Sequence, residues 1–164
     1  MDLYFFRHGL AEDASRSGLD RDRELTAVGI EKTRAAGQAF RKLGVQWDLA
    51  LASPYARAWK TAEILVEQLD CQDRLQACGA LASGQPPAPL LAELQRQSPQ
   101  FTSILLVGHE PDLSHLISLL LTGSPRLSLT MKKGGLCRLS CHSPEPGTAA
   151  LEWLLTSKLF DLMA

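Results

Sequence analysis

Residues 3–9 read Leu-Tyr-Phe-Phe-Arg-His-Gly, and this stretch decides how the rest of the chain is interpreted. Its four large apolar residues in a row predict a short buried strand, which ends on Arg7, His8 and Gly9. In an open α/β sheet, ligands bind in the crevice beyond the carboxyl ends of the strands, and a glycine there lets the backbone approach a ligand closely. The stretch thus places a cation and an imidazole at a ligand-binding position. A single histidine near a strand end is more often structural, so the interpretation depends on what the other strands deliver.

The composition predicts one globular domain. The chain has 164 residues, of which 45% are hydrophobic, so residues 1–164 are expected to form a single domain with a substantial core. The net charge of −1, without a long run of either sign, argues against a protein that binds nucleic acid through bulk electrostatics. The apolar runs are too short to span a membrane, and the first residues lack the ordered regions of a signal peptide. We expect a cytoplasmic protein that binds neither nucleic acid nor membranes and acts as a monomer.

The four cysteines do not have the spacing of a zinc site. Cys137 and Cys141 are separated by three residues, whereas Cys71 and Cys78 are separated by six, and no histidine is suitably placed beside them. We interpret all four as reduced thiols of a cytosolic protein.

A polar segment with alternating charges, residues 12–23, is predicted to form a long loop. Long loops in compact domains are usually functional or disordered. The segment carries Arg16, Arg21 and Arg23, most of which we expect to be solvated, with one or two facing an anionic substrate. A helix with Thr26 as its N-cap is predicted to follow.

Two further strands of the predicted sheet are each followed by a helix. Residues 48–52 form the second strand, and Ser53 is interpreted as the N-cap of a helix that carries Arg57 in its first turn. The backbone N–H groups at the start of a helix already favour an anion. Residues 104–107 form the third strand, which ends in Gly-His-Glu-Pro at 108–111 before another helix.

The last third of the chain is predicted to form antiparallel strands. Residues 127–131, 136–140 and 150–155 are strand-like runs separated by turn residues. The Lys-Lys-Gly-Gly segment at 132–135 is interpreted as a solvated turn, with docking of an acidic partner as the alternative. Together with the strand–helix alternation before it, this pattern predicts a three-layer α/β/α sandwich. Its central sheet is expected to be mainly parallel with an antiparallel edge.

Four polar side chains are expected to meet at the carboxyl ends of the three parallel strands: Arg7, His8, Arg57 and His109. Guanidinium groups stay charged and can bind the oxygens of a phosphoryl group bidentately. One imidazole can attack phosphorus and form a covalent intermediate, while the other donates to the same oxygens. Because the arginines would stabilise the charge, we expect catalysis by positioning and electrostatics, with no cofactor and no metal.

Four segments resemble the motifs of the histidine phosphatase superfamily, whose fold is called phosphoglycerate-mutase-like. They are Arg-His-Gly at 7–9, Leu-Thr-Ala-Val-Gly at 25–29, Ser-Pro-Tyr-Ala-Arg-Ala-Trp-Lys-Thr-Ala at 53–62 and Gly-His-Glu-Pro at 108–111. The chain lacks the large insertions of the mutases and phytases, so it resembles the SixA branch of phosphohistidine phosphatases. The resemblance implies that His8 is the phosphorylated nucleophile and that Arg7, Arg57 and His109 bind the phosphoryl group.

One departure from the family concerns the acidic proton donor of its mutases and phosphomonoesterases. The corresponding segment here, residues 75–80, contains no Asp or Glu. An alkoxide leaves poorly without a proton, whereas an imidazole, with a reference pKa of about 6.5, leaves far more easily. The departure favours phosphoramidate substrates such as phosphohistidine, with Glu12, Asp13 or a group of the substrate as alternative donors.

The leading hypothesis is a metal-independent phosphatase for a phosphohistidine-containing protein, such as a phosphorelay domain, with a role in signal transduction. A small-molecule phosphomonoesterase of the same fold is one alternative. A non-catalytic phosphoprotein-binding regulator is another, although binding alone does not need a nucleophile. The residues expected to bind the substrate are Arg7, Gly9, Arg21, Ser53, Arg57 and His109.

Overall fold

The computed structural model describes residues 1–163 and contains six strands and five α-helices within that range. The strands are β1 (Asp2–Arg7), β2 (Leu49–Ala52), β3 (Leu75–Ala77), β4 (Ser103–Gly108), β5 (Leu136–Ser140) and β6 (Ala150–Leu155). The helices are α1 (Ala27–Lys42), α2 (Ala56–Gln68), α3 (Pro87–Gln97), α4 (Asp112–Thr122) and α5 (Ser157–Met163).

The strands form a single sheet with the order β3-β2-β4-β1-β5-β6. Strands β1 to β4 pair in parallel, whereas β5 and β6 extend the sheet in antiparallel orientation. This arrangement confirms the predicted fold class, a mainly parallel sheet with an antiparallel edge. Because β2, β4 and β1 are neighbours, the polar residues that follow them lie side by side at one end of the sheet.

Helices cover both faces of the sheet, which explains why its central strands are apolar along their whole length. Successive side chains of a strand point to opposite faces, so Phe6 packs with α1, α2 and α5, and Phe5 packs with α3 and α4. Phe40 of α1 contacts both Phe6 and Phe160 edge-on, at ring-centroid distances of 6.0 and 4.9 Å. Two apolar layers thereby fix the strand ends that carry the polar residues.

The prediction of a strand at residues 127–131 is wrong. Both edges of β5, the next strand along the chain, are already paired with β1 and β6, so this segment does not pair with its sequence neighbour. Its backbone bonds to side chains instead. The N–H of Leu127 donates to the hydroxyl of Ser118, and the carbonyl of Met131 accepts from the guanidinium of Arg7.

The prediction that Ser53 caps helix α2 is also wrong, because the helix begins three residues later, at Ala56. The N–H of Ser53 still donates to the carbonyl of Val107, 3.0 Å away, so this residue continues the sheet pairing of β2. Its hydroxyl accepts from the N–H of Tyr55 and is left inside the crevice at the strand ends. By contrast, Thr26 caps α1 as predicted, accepting from the N–H of Gly29 at 3.0 Å.

The four cysteines are free thiols, and three of them are buried. Within residues 1–163, no helix combines the length and apolar character needed to cross a membrane.

Candidate active site

His8 lies at the carboxyl end of β1 with its ring buried and held in one tautomer. Its Nδ1 lies 2.8 Å from the carbonyl oxygen of Gly9, which can only accept, so Nδ1 carries the proton. Its Nε2 lies 3.3 Å from Nε of Arg57, which can only donate, so Nε2 carries the lone pair. The two contacts therefore present a nucleophilic nitrogen beside a guanidinium.

Gly9 and Thr61 connect the strand that carries His8 to the helix that carries Arg57. The N–H of Gly9 donates to the Thr61 hydroxyl at 3.1 Å, and that hydroxyl donates to the carbonyl of Arg57 at 2.7 Å. A Cβ at position 9 would lie only 2.8 Å from the hydroxyl oxygen of Thr33 on α1. Glycine suits this position because three elements converge on the backbone that follows His8.

Arg57 is 4% exposed and makes contacts through all three of its guanidinium nitrogens. Nε donates to His8, Nη1 donates to the carbonyl of Asp20 at 2.7 Å, and Nη2 forms an ion pair with the Asp20 carboxylate at 2.9 Å. The other carboxylate oxygen of Asp20 accepts from Arg23 at 2.8 Å. The polar loop at 12–23 therefore reaches into the site through Asp20, a residue that the sequence analysis did not single out.

Arg7 and His109 each keep a buried nitrogen without a hydrogen-bond partner among residues 1–163. Arg7 donates from Nη1 to the carbonyl of Met131 at 2.8 Å, while its Nε has no partner. His109 is bonded through Nε2 to the Ser53 hydroxyl at 2.9 Å, while its Nδ1 has no partner. Buried polar groups without a partner are rare and costly, so these two nitrogens are well suited to contact ligand oxygens.

The two histidines are adjacent because of the strand register. Arg7 of β1 is directly opposite Gly108 of β4, so the next residue on each strand enters the same space. The ring centroids of His8 and His109 are 5.1 Å apart. The ring of Tyr55 lies 5.1 Å from that of His109 and 5.4 Å from the guanidinium carbon of Arg57, which places it at the mouth of the site.

Both imidazoles are neutral at neutral pH. Burial lowers the pKa of His8 to about 4, partly opposed by the hydrogen bond to Gly9 and reinforced by the charges of Arg57, Arg7 and Lys133. Burial also lowers the pKa of His109 to about 3, with further lowering by His8 and Arg57. A neutral ring is the form that can act as a nucleophile. A bound anion would in turn favour protonation of a neighbouring ring.

Two carboxyl groups border the site, and their pKa values are shifted in opposite directions. The hydrogen bond from Arg23 and the contact with Arg57 lower the pKa of Asp20, which is therefore ionised. Burial raises the pKa of Glu110, whose side chain accepts from the Ser114 hydroxyl and keeps one buried oxygen without a partner among residues 1–163.

The remaining predicted site residues lie outside this cluster. The side chain of Arg21 is 67% exposed and lies 3.7 Å from Asp22, so its role in substrate binding stays a prediction. Arg16 is exposed, and so are Glu12 and Asp13, the alternative proton donors. Across residues 1–163, no three His, Cys, Asp or Glu side chains are grouped as a metal site.

The residues that the sequence analysis missed are those that join the site through tertiary contacts. Thr61 lies one helical turn after Arg57, a spacing that could have identified it. Asp20 and Glu110 gave only weak signals, one as an acidic residue in a loop expected to be functional and the other as the neighbour of His109 in the motif.

Comparison with known proteins identifies relatives of the whole chain. Residues 3–78 match the model of the histidine phosphatase superfamily (branch 1). An uncharacterized protein of Picosynechococcus sp. is 36% identical over 163 residues, which cover 99% of this chain and 95% of that protein. The match extends over all the motifs described above.

Solved structures show the same fold at lower sequence identity. The protein histidine phosphatase SixA, complexed with tungstate, superposes with a TM-score of 0.85 at 22% identity and covers 97% of this chain and 99% of that one. A putative alpha-ribazole-5'-P phosphatase from Escherichia coli superposes with a TM-score of 0.76 at 21% identity, covering 96% and 98%. The names of the two structures give different substrates. The likeness therefore establishes the fold and does not identify the substrate of this chain.

Proposed function

This chain belongs to the histidine phosphatase superfamily, and we propose that it removes the phosphoryl group from a phosphohistidine-containing protein. The observation that carries the proposal is the arrangement at the end of the sheet. A neutral histidine with its lone pair on Nε2 lies beside Arg57, and at the same end of the sheet Arg7 and His109 each keep a buried nitrogen without a partner among residues 1–163. A phosphoryl group would supply the oxygens that these donors lack.

In the first step, Nε2 of His8 attacks phosphorus as the bond from phosphorus to the ring nitrogen of the carrier breaks. The carrier's other ring nitrogen carries a proton taken from solvent, so the electron pair of that bond stays on a ring that leaves as neutral imidazole. Arg7, Arg57 and His109 hold the phosphoryl oxygens, where positive charge and preoriented donors stabilise the charge that develops. The product of this step is phospho-His8.

In the second step, water attacks the phosphorus of phospho-His8, and the electron pair of the P–N bond returns to Nε2. The proton lost by water leaves with phosphate or solvent, and the enzyme is regenerated. Phosphoryl oxygens compete with Asp20 for the two Nη groups of Arg57. Loosening of the Asp20 contact would free these donors for the substrate, and the half-exposed Asp20 side chain, 55% accessible, permits it.

The substrate class is proposed from the charge state of the carboxyl groups. The Asp20 carboxyl group is ionised and held by two arginines, so it has no proton to give. An imidazole is a good leaving group without such a proton, whereas an alkoxide is not. The arrangement therefore supports a nitrogen-linked phosphoryl group, such as that of a phosphorelay domain.

A small-molecule phosphomonoesterase is the second candidate, and Glu110 is the observation that favours it. This residue follows His109 directly, and burial raises the pKa of its carboxyl group, so it keeps a proton to a higher pH than an ordinary Glu. A protonated carboxyl group beside the site could protonate an alkoxide.

A substrate panel tests the proposal. Phosphohistidine protein, an aryl phosphate and an alkyl phosphate are compared by kcat/KM in chelator-treated buffer. We expect phosphohistidine to be the best substrate, the aryl phosphate intermediate and the alkyl phosphate poor, because the leaving groups differ in their need for a proton. His142→Ala, which changes an exposed histidine, serves as the control. Faster turnover of the alkyl phosphate, or loss of activity on chelation, would contradict the proposal.

A further inference from the structure

The turn at residues 132–135 forms part of the wall of the active site. The N–H of Gly134 donates to the carbonyls of both Arg7 and His8, at 3.0 and 3.2 Å. In return, the N–H of Arg7 donates to the carbonyl of Gly135 at 3.1 Å. This segment, which the sequence pattern assigns to a solvated turn, is thus joined by three hydrogen bonds to the backbone of Arg7 and His8.

The turn has a fixed conformation that depends on its two glycines. Gly134 has a φ of +70°, in the left-handed region that favours glycine. A Cβ at Gly135 would lie 2.9 Å from the carbonyl oxygen of Lys132 and 3.1 Å from that of Leu155. Because the backbone on both sides of Lys133 is held in place, the starting point of its side chain is fixed relative to His8.

The two lysines of the turn have different surroundings. Lys132 is exposed, whereas Lys133 is half-buried. Within residues 1–163, neither lysine forms an ion pair with a carboxylate. The charge of Lys133 is close enough to His8 to contribute to lowering its pKa, as the charges of Arg7 and Arg57 do.

Lys133 lies on the turn that is bonded to the backbone of Arg7 and His8, and like charges gathered at one site repel one another unless an anion offsets them. Asp20, the ionised carboxylate beside the site, already accepts hydrogen bonds from Arg23 and Arg57, and burial disfavours the charged form of Glu110 by raising its pKa. The anion that the three cations share would be the phosphoryl group held over His8.

We propose that Lys133 binds the phosphoryl group as a third cation, together with Arg7 and Arg57. The proposal rests on the proposed function only in placing a phosphoryl group over His8. The long, flexible lysine side chain would contact an outer oxygen of that group, while the arginines bind the others.

Titration of the intact protein with inorganic phosphate tests the proposal, by calorimetry or by imidazole NMR. Lys133→Met is expected to weaken phosphate binding by roughly 10-fold, the loss of one hydrogen bond to a charged group. Lys133→Arg should restore most of the affinity, because it restores the charge. Lys132→Met is the matched control on the same turn and should bind phosphate like the unaltered protein.

A second readout is independent of phosphate. In the ligand-free protein, Lys133→Met should raise the pKa of His8 above its value of about 4, and Lys132→Met should not. Phosphate affinity unchanged in Lys133→Met, with thermal stability intact, would overturn the proposal. Since phosphate binding does not require turnover, a wild-type protein that fails to hydrolyse phosphohistidine would refute the proposed function while the titration still decides the role of Lys133.

Discussion

The two ends of the sheet carry similar charged residues, but these residues differ in whether they have hydrogen-bond and ion-pair partners. At the amino ends, Arg138 forms an ion pair with Asp2 at 3.0 Å, and the Asp48 carboxylate accepts three hydrogen bonds from Thr102 and Ser103. At the carboxyl ends, Arg7 and His109 keep buried nitrogens without partners among residues 1–163. The difference indicates that charges at one end stabilise the fold, while those at the other end remain available to a ligand.

The largest effect expected from this contrast is on catalysis. Arg57→Ala should lower kcat/KM for phosphohistidine by about 10³-fold, since it removes a preoriented cation from the transition state. Arg138→Ala, at the opposite end of the sheet, should leave kcat/KM within about twofold and act on stability alone. Steady-state kinetics on both variants checks this, and equal losses of kcat/KM would remove the distinction between the two ends.

The next effect concerns pH and stability, because the buried His8 is held neutral. Its pKa of about 4 in the folded protein lies below the unfolded reference of about 6.5. Between these values the unfolded chain binds more protons, so the free energy of unfolding should fall as the pH falls from about 6.5 to 4, by about 3 kcal/mol from His8. The neighbouring charged groups are Arg7, Arg57, Lys133 and Asp20.

Urea unfolding at pH 7 and pH 4, compared between the unaltered protein and His8→Asn, measures this contribution. The variant should lose less stability on acidification. Parallel curves for the two proteins would show that His8 titrates alike in the folded and unfolded states.

A smaller effect is expected where helix α1 meets the backbone that follows His8. A Cβ at Gly29 would lie 2.0 Å from the carbonyl oxygen of Leu10, so Gly29→Ala should destabilise the fold by about 2 kcal/mol. Gly79→Ala is the control, because nothing lies within 4 Å of a Cβ there. Thermal unfolding of both variants is the measurement, and a similar transition temperature for the two would contradict the close approach of α1.

The smallest effect is expected at Asp20, which competes with phosphate for Arg57. Asp20→Asn should tighten binding of inorganic phosphate by about threefold, a modest gain since the ion pair is partly solvated. Asp22→Asn, on the same turn but paired with Arg21 and Ser17, should leave the affinity unchanged. Weaker phosphate binding in Asp20→Asn would show that the carboxylate supports the anion site instead of competing for it.

The parts of this molecule that the sequence predicts are those set by local pattern. Two apolar strands lead into Arg-His-Gly and Gly-His-Glu-Pro. Parallel pairing of these strands brings His8 and His109 together. The strand expected at 127–131 is absent because apolar alternation alone does not specify a partner strand, and this backbone bonds to the side chains of Ser118 and Arg7 instead. The seven-residue helix α5 is too short to give a periodic signal.

The positions of Asp20 and Lys133 depend on how a loop and a turn fold back over the strand ends. Their residue types are ordinary for solvated segments, and only the backbone hydrogen bonds of Gly134 and the ion pair with Arg57 show otherwise. Side chains that reach a site by such long-range contacts leave no local pattern in the sequence.

Rapid-quench labelling tests the central claim, that His8 is the nucleophile in the ligand-binding crevice. The protein is mixed with a carrier bearing ³²P-phosphohistidine, quenched in alkali within milliseconds and digested to locate the label. The account predicts acid-labile label on the peptide that contains His8, absent from His8→Ala and retained in His142→Ala. Label on another residue, or phosphate release by His8→Ala at the rate of the unaltered protein, would contradict it.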